Sequence, residues 1–346
     1  MISNEKMSGK KIMNDKGYVM SLTSFLLILP VFLMLLVFIN MTVGQADLQQ
    51  SVLTSEDVLG VTKDLETNIP RIGREVIKDK SEEVIKSGIP LSDSRKSIRD
   101  EIQSRMDIWC SRYNYEGIRT DCDILYVDNS QDPFQIEVKS KIKVEKGELK
   151  HQENLTQNIS LINDSFPIMD PLPFVKCREH GGATIRGNRI FYGYSLSNYL
   201  ESRGINNSEA YENATSPLYI RKCPYDPYEL HGSSQDLMNL KNCLDNGFYH
   251  ESSDGSCFLC RLEGKGVCPH YGMETFILPA PSENLSYLNN SSATATSAPD
   301  HVIFDDTGHG TYPGHMIVYF NNGTHYFYLY LDDSHRKKYG LPLFGD

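Results

Sequence analysis

The longest apolar run in the chain lies near the N-terminus and predicts a helix that crosses a membrane. No Asp, Glu, Lys or Arg occurs in 18–46, and 25–39 contains no polar residue. At 1.5 Å per residue, a helix over 18–44 is about 40 Å long, enough to cross a hydrocarbon layer of about 30 Å. The alternatives are a buried core helix and a cleaved secretory peptide. A core helix is seldom apolar on every face, and 40–44 fits an A-x-A-like cleavage site poorly.

Apolar positions at helical spacing continue through 45–111 and predict a helical stalk. Pro70 is expected to interrupt the stalk, because proline removes a backbone donor and crowds the preceding turn. A charged amphipathic helix over 72–86 should then stop at the Gly-Ile-Pro of 88–90. Ser92 or Asp93 can cap the next helix. The apolar face of that next helix consists of Ile98, Ile102, Met106 and Trp109.

The pattern changes at 134–145 to strict alternation, which is the clearest strand signal in the chain. Apolar or small side chains alternate there with Gln, Glu and Lys, so one face is buried and the other is wet. Residues 124–127 predict an antiparallel partner, and 155–162 predict a third strand. We therefore expect 112–165 to form a small antiparallel β region.

Three prolines within 166–173 predict a linker between domains. The rest of the chain, 174–346, is predicted to be a Cys-rich mixed α+β domain, with a strand over 184–194 and a helix over 195–202. A Ser, Thr, Asn and Ala-rich segment over 281–299 is expected to be a mobile loop.

A hairpin is predicted near the C-terminus, where 315–320 and 325–331 flank Asn-Asn-Gly-Thr. Asn-Gly supplies the positive φ angles of a type I′ turn. The predicted fold class is therefore α+β: one N-terminal transmembrane helix, a helical stalk, a small antiparallel sheet and the Cys-rich domain.

Charge separates the two sides of the predicted membrane helix. The whole chain carries a net charge of −11, but residues 1–44 carry +2. This excess of Lys lies in a leader over 1–17, and no further Lys or Arg occurs before Lys63. Because positive charge is retained on the cytoplasmic side, we expect a cytoplasmic N-terminus and an extracellular C-terminal domain. The acidic remainder argues against a nucleic-acid partner.

An excess of Asn-x-Ser/Thr acceptors also indicates an extracellular location. The chain has ten such sites, where its composition predicts about three. Asn40 lies too close to the membrane for modification. The remaining candidates are Asn154, Asn158, Asn163, Asn206, Asn213, Asn284, Asn289, Asn290 and Asn322.

The segment from Lys16 to Pro30, KGYVMSLTSFLLILP, resembles the class III signal of archaeal and bacterial prepilins. Within that class it is most similar to the TadE/TadG-like family, whose helix carries an E-F-x-x-x-L-P pattern. The resemblance implies cleavage between Gly17 and Tyr18, with retention of the helix, and a helix packed on a small antiparallel sheet. Ser24 stands where the family has Glu, which puts efficient polymerisation in question. A plain signal anchor is the alternative.

All eight cysteines lie at or beyond Cys110, on the predicted outer side. An even number of cysteines in an extracellular domain predicts disulfides, and a Cys110–Cys122 bond would join the last stalk helix to the first strand. The zinc alternative uses Cys257, Cys260, Cys268 and His270, whose Cys-x-x-Cys spacing can turn around one ion. A redox dithiol is a third possibility. The disulfide candidates are Cys110, Cys122, Cys177, Cys223, Cys243, Cys257, Cys260 and Cys268.

Five of the ten histidines fall within 301–335, among several aspartates. A hydrolase or metal site could use His309 or His315 as a base and Asp306 to orient it. Their spacing matches no standard catalytic or metal motif, so we expect a polar loop, no catalytic residue and no cofactor. Tyr326, Tyr328 and Tyr330 share one hairpin face, which can be core or can stack on sugars.

These patterns together predict a membrane-anchored, pilin-like surface protein that acts in surface-structure assembly, adhesion or envelope contact. Its expected partners are the membrane, other pilin-like or envelope proteins, and cell-wall glycans. The competing hypotheses are an envelope-acting enzyme and a glycan- or solute-binding ectodomain.

Overall fold

The computed structural model describes residues 15–163, 165–205, 208–225, 231, 238–280, 298–306, 316–321 and 326–341. Within some of these segments only the backbone is described. The chain divides into two compact units, one ending at Gly60 and the other beginning at Val61. The architecture is mixed, with eight α-helices and ten strands in small antiparallel sheets among the described residues.

Helix α1 (Asp15–Ser87) contains the apolar segment identified in the sequence. Within it, Ser24–Gln45 is long and apolar enough to cross a membrane, and its side chains are exposed. A helix of this length, composition and position fits a membrane anchor or a signal sequence.

The expected interruption at Pro70 is wrong, because α1 continues through this residue to Ser87. Proline has no N–H to donate to the carbonyl of Glu66, one turn earlier. The side chain of Gln157 donates to that carbonyl instead, at 2.9 Å. The helix ends before Gly88, whose φ of +64° is readily adopted by glycine.

Helix α2 (Ser94–Ser111) begins as predicted. Asp93 is the N-cap, and its carboxylate accepts a hydrogen bond from the backbone N–H of Lys96 at 2.9 Å. Ile98, Ile102 and Met106 are fully buried on the predicted face. A short 3₁₀ turn, Arg112–Glu116, leads from α2 into the sheet.

The predicted β region is a three-stranded antiparallel sheet of β1 (Arg119–Asn129), β2 (Gln135–Lys146) and β3 (Leu149–Ser160), in that order. Strand β2 alternates as predicted, with one buried face. Gly73 of α1 permits close approach to this sheet, because a Cβ at Gly73 would collide with Ile159 Cδ1. The part of α1 from Val61 to Ser87 lies in the same compact unit as the sheet and approaches it closely at Gly73.

The remaining elements are short. They are α3 (Leu172–Cys177), β4 (Thr184–Arg186), β5 (Arg189–Phe191), α4 (Ser195–Ser202), β6 (Thr215–Pro217), α5 (Met238–Asn246), β7 (Tyr249–Ser252), α6 (Phe258–Leu262), β8 (Gly272–Thr275), α7 (Asp300–Ile303), β9 (Met316–Asn321), β10 (Tyr326–Leu331) and α8 (Asp333–Lys338). Strand β4 pairs with β5 and β5 with β6, while β7 pairs with β8 and β9 with β10, all antiparallel.

The proline-rich segment 166–173 differs from the predicted linker. Ile168, Asp170 and Leu172 are at most 1 % exposed, and Ile168 O accepts a hydrogen bond from the N–H of Ile220 at 2.9 Å. The segment therefore packs inside the unit that begins at Val61, and the division between compact units falls at Gly60 instead.

Three other predictions for the region after residue 173 have mixed outcomes. The strands of the C-terminal hairpin are confirmed as β9 and β10, although the turn between them lies outside the described residues. The single strand expected over 184–194 is instead the β4–β5 hairpin, with Gly187 in its turn at φ +59°. Most of the expected loop over 281–299, namely 281–297, also lies outside the described residues.

Candidate functional site

Four buried side chains, Cys223, His231, Cys243 and His250, form a group that we name the Cys–His cluster. One ligand atom from each lies within 4.8 Å of the others. The two sulfur atoms are 3.2 Å apart, and His231 Nε2 lies 3.3 Å from Cys223 Sγ and 3.0 Å from Cys243 Sγ. Two thiols and two imidazoles in one buried group are a Cys₂His₂ donor set.

The backbone brings three of the four members, Cys223, Cys243 and His250, together from three segments. Cys223 lies beside β7, because its N–H donates to the carbonyl of Tyr249 at 2.9 Å. Cys243 lies in α5, and the N–H of Phe248 donates to its carbonyl at 3.1 Å. His250 is the second residue of β7. The turn from α5 into β7 therefore sets Cys243 and His250 side by side.

Aromatic rings surround the two imidazoles of the Cys–His cluster. His231 packs edge-on against Tyr225 and Tyr339, with ring centroids 6.2 and 5.8 Å away. His250 packs against Phe276 and Tyr339, at 5.3 and 5.4 Å. This apolar shell keeps water away from the donors.

The two thiols of the Cys–His cluster differ in acidity. Hydrogen bonding from Cys243, together with His231 and His250, lowers the pKa of Cys223 to about 3. The adjacent Cys223 sulfur and burial raise the pKa of Cys243. One thiolate is therefore already favoured in the folded protein, and a cation would favour the second.

The ligands of the zinc alternative, Cys257, Cys260, Cys268 and His270, also lie together, within 4.8 Å of one another, and we name them the three-thiol cluster. His270 Nδ1 lies 3.7 Å from Cys257 Sγ and 3.5 Å from Cys260 Sγ. The backbone N–H of Cys257 donates to Cys268 Sγ at 3.3 Å. Arg95 Nη2 lies 3.4 Å from the opposite ring nitrogen of His270.

The three-thiol cluster has an odd number of cysteines, which bears on whether it forms disulfides or binds a metal ion. One disulfide among three cysteines leaves the third thiol over, whereas three thiolates and an imidazole complete one tetrahedron. Cys257 and Cys260 are buried at the start of α6, while Cys268 is half-buried. Three thiols and one imidazole in a single group therefore favour a zinc site over complete pairing of the cysteines in disulfides.

None of the eight cysteines is disulfide-bonded in this structure. Cys110 of α2 and Cys122 of β1 are both buried and close enough for Cys110 to raise the pKa of Cys122, in addition to the larger effect of burial. The Cys110–Cys122 bond stays a prediction. Cys177 is buried in the core, where burial raises its pKa to about 12.

A third group, the carboxylate–histidine cluster, consists of Glu274, His301, His335 and Asp254. Glu274 of β8 is fully buried. One of its carboxylate oxygens, Oε2, lies 2.9 Å from His301 Nδ1 and 3.6 Å from His335 Nε2. Asp254 approaches from the exposed side, 3.8 Å from His301 Nε2.

Three further side chains, Lys338, Tyr339 and Asp332, form hydrogen bonds or close contacts with the carboxylate–histidine cluster. Lys338 Nζ donates to Glu274 Oε1 at 2.5 Å, and the hydroxyl of Tyr339 donates to the same oxygen. Asp332, the N-cap of α8, lies 2.7 Å from His335 Nδ1. The C-terminal helix therefore delivers both a cation and an imidazole to the carboxylate of β8.

The ionisation of the carboxylate–histidine cluster follows from these contacts. Burial alone would lower the pKa of His335, but Asp332 and Glu274 outweigh burial and raise it to about 9. Burial alone would raise the pKa of Glu274, but His301, His335 and Lys338 hold it well below its usual range. At neutral pH the cluster therefore holds a carboxylate against an imidazolium.

A buried ion network lies beside this cluster. Arg261 forms ion pairs with Asp170 and Asp300, and its Nε donates to Asp170 Oδ1 at 3.0 Å. The hydroxyl of Tyr249 donates to Asp170 Oδ2 at 3.0 Å, and the N–H of Thr275 donates to Asp300 Oδ1 at 2.9 Å. With its charges paired and its polar atoms bonded, this network ties the 166–173 segment to α6 and α7.

The histidines first proposed as bases, His309 and His315, lie outside the described residues. Asp306 forms an ion pair with Lys176 at the surface. Tyr330 is buried against Tyr211, with ring centroids 6.0 Å apart, so at this position the hairpin face is core. The side chains of Tyr326 and Tyr328 lie outside the description.

The predicted modification sites are in part described. Asn154 and Asn158 are exposed on β3, Asn213 is exposed at φ +57°, and Asn163 is half-buried. Gly17 and Tyr18 lie within α1. The other candidates, Asn206, Asn284, Asn289, Asn290 and Asn322, lie outside the described residues.

Three residues of these clusters, His231, His250 and Glu274, were not identified from the sequence. The order Cys223, His231, Cys243, His250 alternates two ligand types within a short stretch, and that alternation was an available signal. Glu274 had no such signal, because its partners come from α7 and α8.

No protein-family model, curated protein or solved structure matches this chain.

Proposed function

We propose that this chain is a membrane-anchored, pilin-like surface protein that acts in surface assembly, adhesion or envelope contact. The main support for a membrane anchor is Ser24–Gln45, a 22-residue apolar segment of α1 with none of its length buried. The N-terminal resemblance to TadE/TadG-like proteins and the packing of later α1 residues on an antiparallel sheet support the proposal.

The apolar side chains of this segment are exposed to solvent in the structure. Phe25, Leu27, Met34 and Phe38 are each more than 60 % exposed. Exposed apolar surface costs about 25 cal/mol per Å² in water, and an apolar patch of this extent indicates a lipid or protein environment. A bilayer covers the whole segment without a folded partner.

Outside the cell, the acidic second unit would expose its sheet and its candidate glycosylation sites, with its Cys and His clusters inside it. The exposed positions Asn154 and Asn158 on β3 leave that surface accessible to glycans. In this account the protein acts through contacts of a displayed surface, and the buried clusters hold that surface in shape.

The anchor is tested by alkaline carbonate extraction of membranes from cells that produce the full chain. We expect wild type to stay in the membrane pellet and Leu33→Lys combined with Leu36→Lys to move to the supernatant, because a charge near the bilayer centre is costly. Leu59→Lys is the matched control, since Leu59 is exposed on the same helix outside the span. Extraction of wild type by carbonate would refute the anchor.

A second candidate function is an envelope enzyme or ligand-binding domain that uses the carboxylate–histidine cluster. The observation that favours it is Glu274, a fully buried carboxylate with imidazoles 2.9 and 3.6 Å away. Buried groups with opposed pKa shifts are typical of functional sites and also of structural ion networks.

Complementation of a deletion strain separates the two candidates. Glu274→Gln keeps the shape of the side chain and removes its charge. A displayed scaffold should retain the surface phenotype in this variant at normal protein level, whereas an enzyme should behave like the deletion. Glu251→Gln, at a half-buried glutamate of the neighbouring strand β7, is the control.

A further inference from the structure

We propose that the Cys–His cluster, Cys223, His231, Cys243 and His250, binds one tetrahedral zinc ion that holds the turn between α5 and β7. This site goes beyond the proposed surface role and does not depend on the membrane anchor.

The donor set fits zinc in type and number. Zinc binds Cys sulfur and His nitrogen and is four-coordinate in structural sites. All four side chains are buried, and one donor atom of each lies within 4.8 Å of the others. Zinc with two thiolates and two neutral imidazoles has no net charge, so the complex suits an aromatic, water-poor surrounding.

The distances require only a small adjustment. Tetrahedral bonds of about 2.3 Å to sulfur and 2.0 Å to nitrogen place the two sulfur atoms about 3.8 Å apart and each nitrogen about 3.5 Å from each sulfur. The sulfur atoms are 3.2 Å apart, and His231 Nε2 lies 3.0 and 3.3 Å from them. An ion at the centre would move these three donors outward by a few tenths of an ångström, and the His250 donor lies within 4.8 Å of each of them.

A disulfide between Cys223 and Cys243 explains less of the geometry of the Cys–His cluster than a zinc ion does. A Cys223–Cys243 bond would use the two sulfur atoms and leave no role for His231, whose Nε2 lies within 3.3 Å of both. It would also leave the His231 and His250 rings, with centroids 5.1 Å apart, packed against each other at the sulfur atoms. The convergence of two imidazoles on two thiols is the observation that favours a metal ion.

The position also explains what an ion would stabilise. The cluster joins the segment beside β7, helix α5 and β7 itself, and these elements are short. An ion bound there would cross-link these elements in addition to their packing, and its binding free energy would contribute to folding.

The test measures zinc in detergent-solubilised full-length protein purified under reducing conditions. We expect Cys243→Ser to contain one equivalent of zinc less than the control Cys177→Ser, which removes a buried thiol from the core outside both clusters. Because the comparison is a difference, zinc at the three-thiol cluster does not affect it.

Cobalt(II) substitution identifies the ligands even if Cys243→Ser folds poorly. The Co(II)-loaded wild type should show the visible absorption of a tetrahedral thiolate site. His231→Cys should keep the metal and strengthen the sulfur-to-cobalt charge-transfer band, because it replaces one nitrogen donor with sulfur. Equal zinc in the Cys243→Ser and Cys177→Ser proteins, or a Cys223–Cys243 disulfide in peptides of the unreduced native protein, would overturn the proposal.

Discussion

The side-chain amide of Gln157 donates a 2.9 Å hydrogen bond to the backbone carbonyl of Glu66. That carbonyl would accept from residue 70 in an uninterrupted helix, but residue 70 is a proline. Strand β3 therefore supplies the donor that α1 lacks, and the helix continues to Ser87.

Gln157→Ala should lower the free energy of unfolding by about 1 kcal/mol, because it leaves the Glu66 carbonyl without its donor. In a Pro70→Ala background the helix supplies its own N–H, so Gln157→Ala should cost clearly less. Thermal unfolding of the solubilised protein, followed by circular dichroism, measures both. Gln152→Ala, at an exposed position of β3, is the control, and identical losses in the two backgrounds would contradict the account.

This contact shows why local patterns predicted some elements and missed others. The β2 alternation and the Asp93 cap depend on neighbouring residues alone, so both were predicted from sequence. The continuation of α1 through Pro70 depends on Gln157, which lies far along the chain.

The candidate sites were likewise predictable from sequence only where their residues lie close together along the chain. The three-thiol cluster has its ligands within 257–270 and was identified as a zinc alternative. The Cys–His cluster needs the α5–β7 turn, and Glu274 meets His301 and His335 only after α7 and α8 have packed on β8. Similarly, three prolines indicated a linker, but Asp170 pairs with Arg261 and draws that segment into the core.

Removing one member of the buried ion network should be severely destabilising. Asp170→Ala leaves Arg261, which is fully buried, with one of its two carboxylate partners missing. We expect a loss of about 3–5 kcal/mol in unfolding free energy. Glu101→Ala, which removes a surface partner of Arg105, should cost at most about 1 kcal/mol. Chemical denaturation compares the two variants, and equal losses would show that the network contributes little.

Stability should depend on the ionisation of His335. Its pKa is about 9 in the folded protein, above a value near 6.5 for an unperturbed histidine. The raised pKa stabilises the fold fully below pH 6.5, and this contribution, up to about 3 kcal/mol, is lost as the pH rises through 9. The thermal unfolding midpoint of the wild type should therefore fall as the pH is raised from 6 to 9.

His335→Gln should flatten this pH dependence, because it removes the titrating group. His151→Gln, at a half-exposed histidine of β3, should leave it unchanged. If the unfolding midpoint of His335→Gln fell with pH as steeply as that of wild type, the pH dependence would have to come from other groups.

The three-thiol cluster can be tested by counting thiols. If Cys257, Cys260 and Cys268 bind zinc, all three should be alkylated when the unreduced protein is denatured with a chelator. Cys260→Ser should also lower the zinc content by one equivalent relative to Cys177→Ser. Peptide mass spectrometry measures the labelling, and a single labelled cysteine among the three would instead indicate a disulfide.

The mass of the mature N-terminus tests the proposed surface anchor most directly. Protein extracted from its native membrane should begin at Tyr18, retain the apolar segment Ser24–Gln45, and yield no peptide from residues 1–17. A protein that begins at Met1 would contradict prepilin-type processing. A protein that begins beyond Gln45 would contradict the anchor itself, because the apolar helix would then have been removed as a signal sequence.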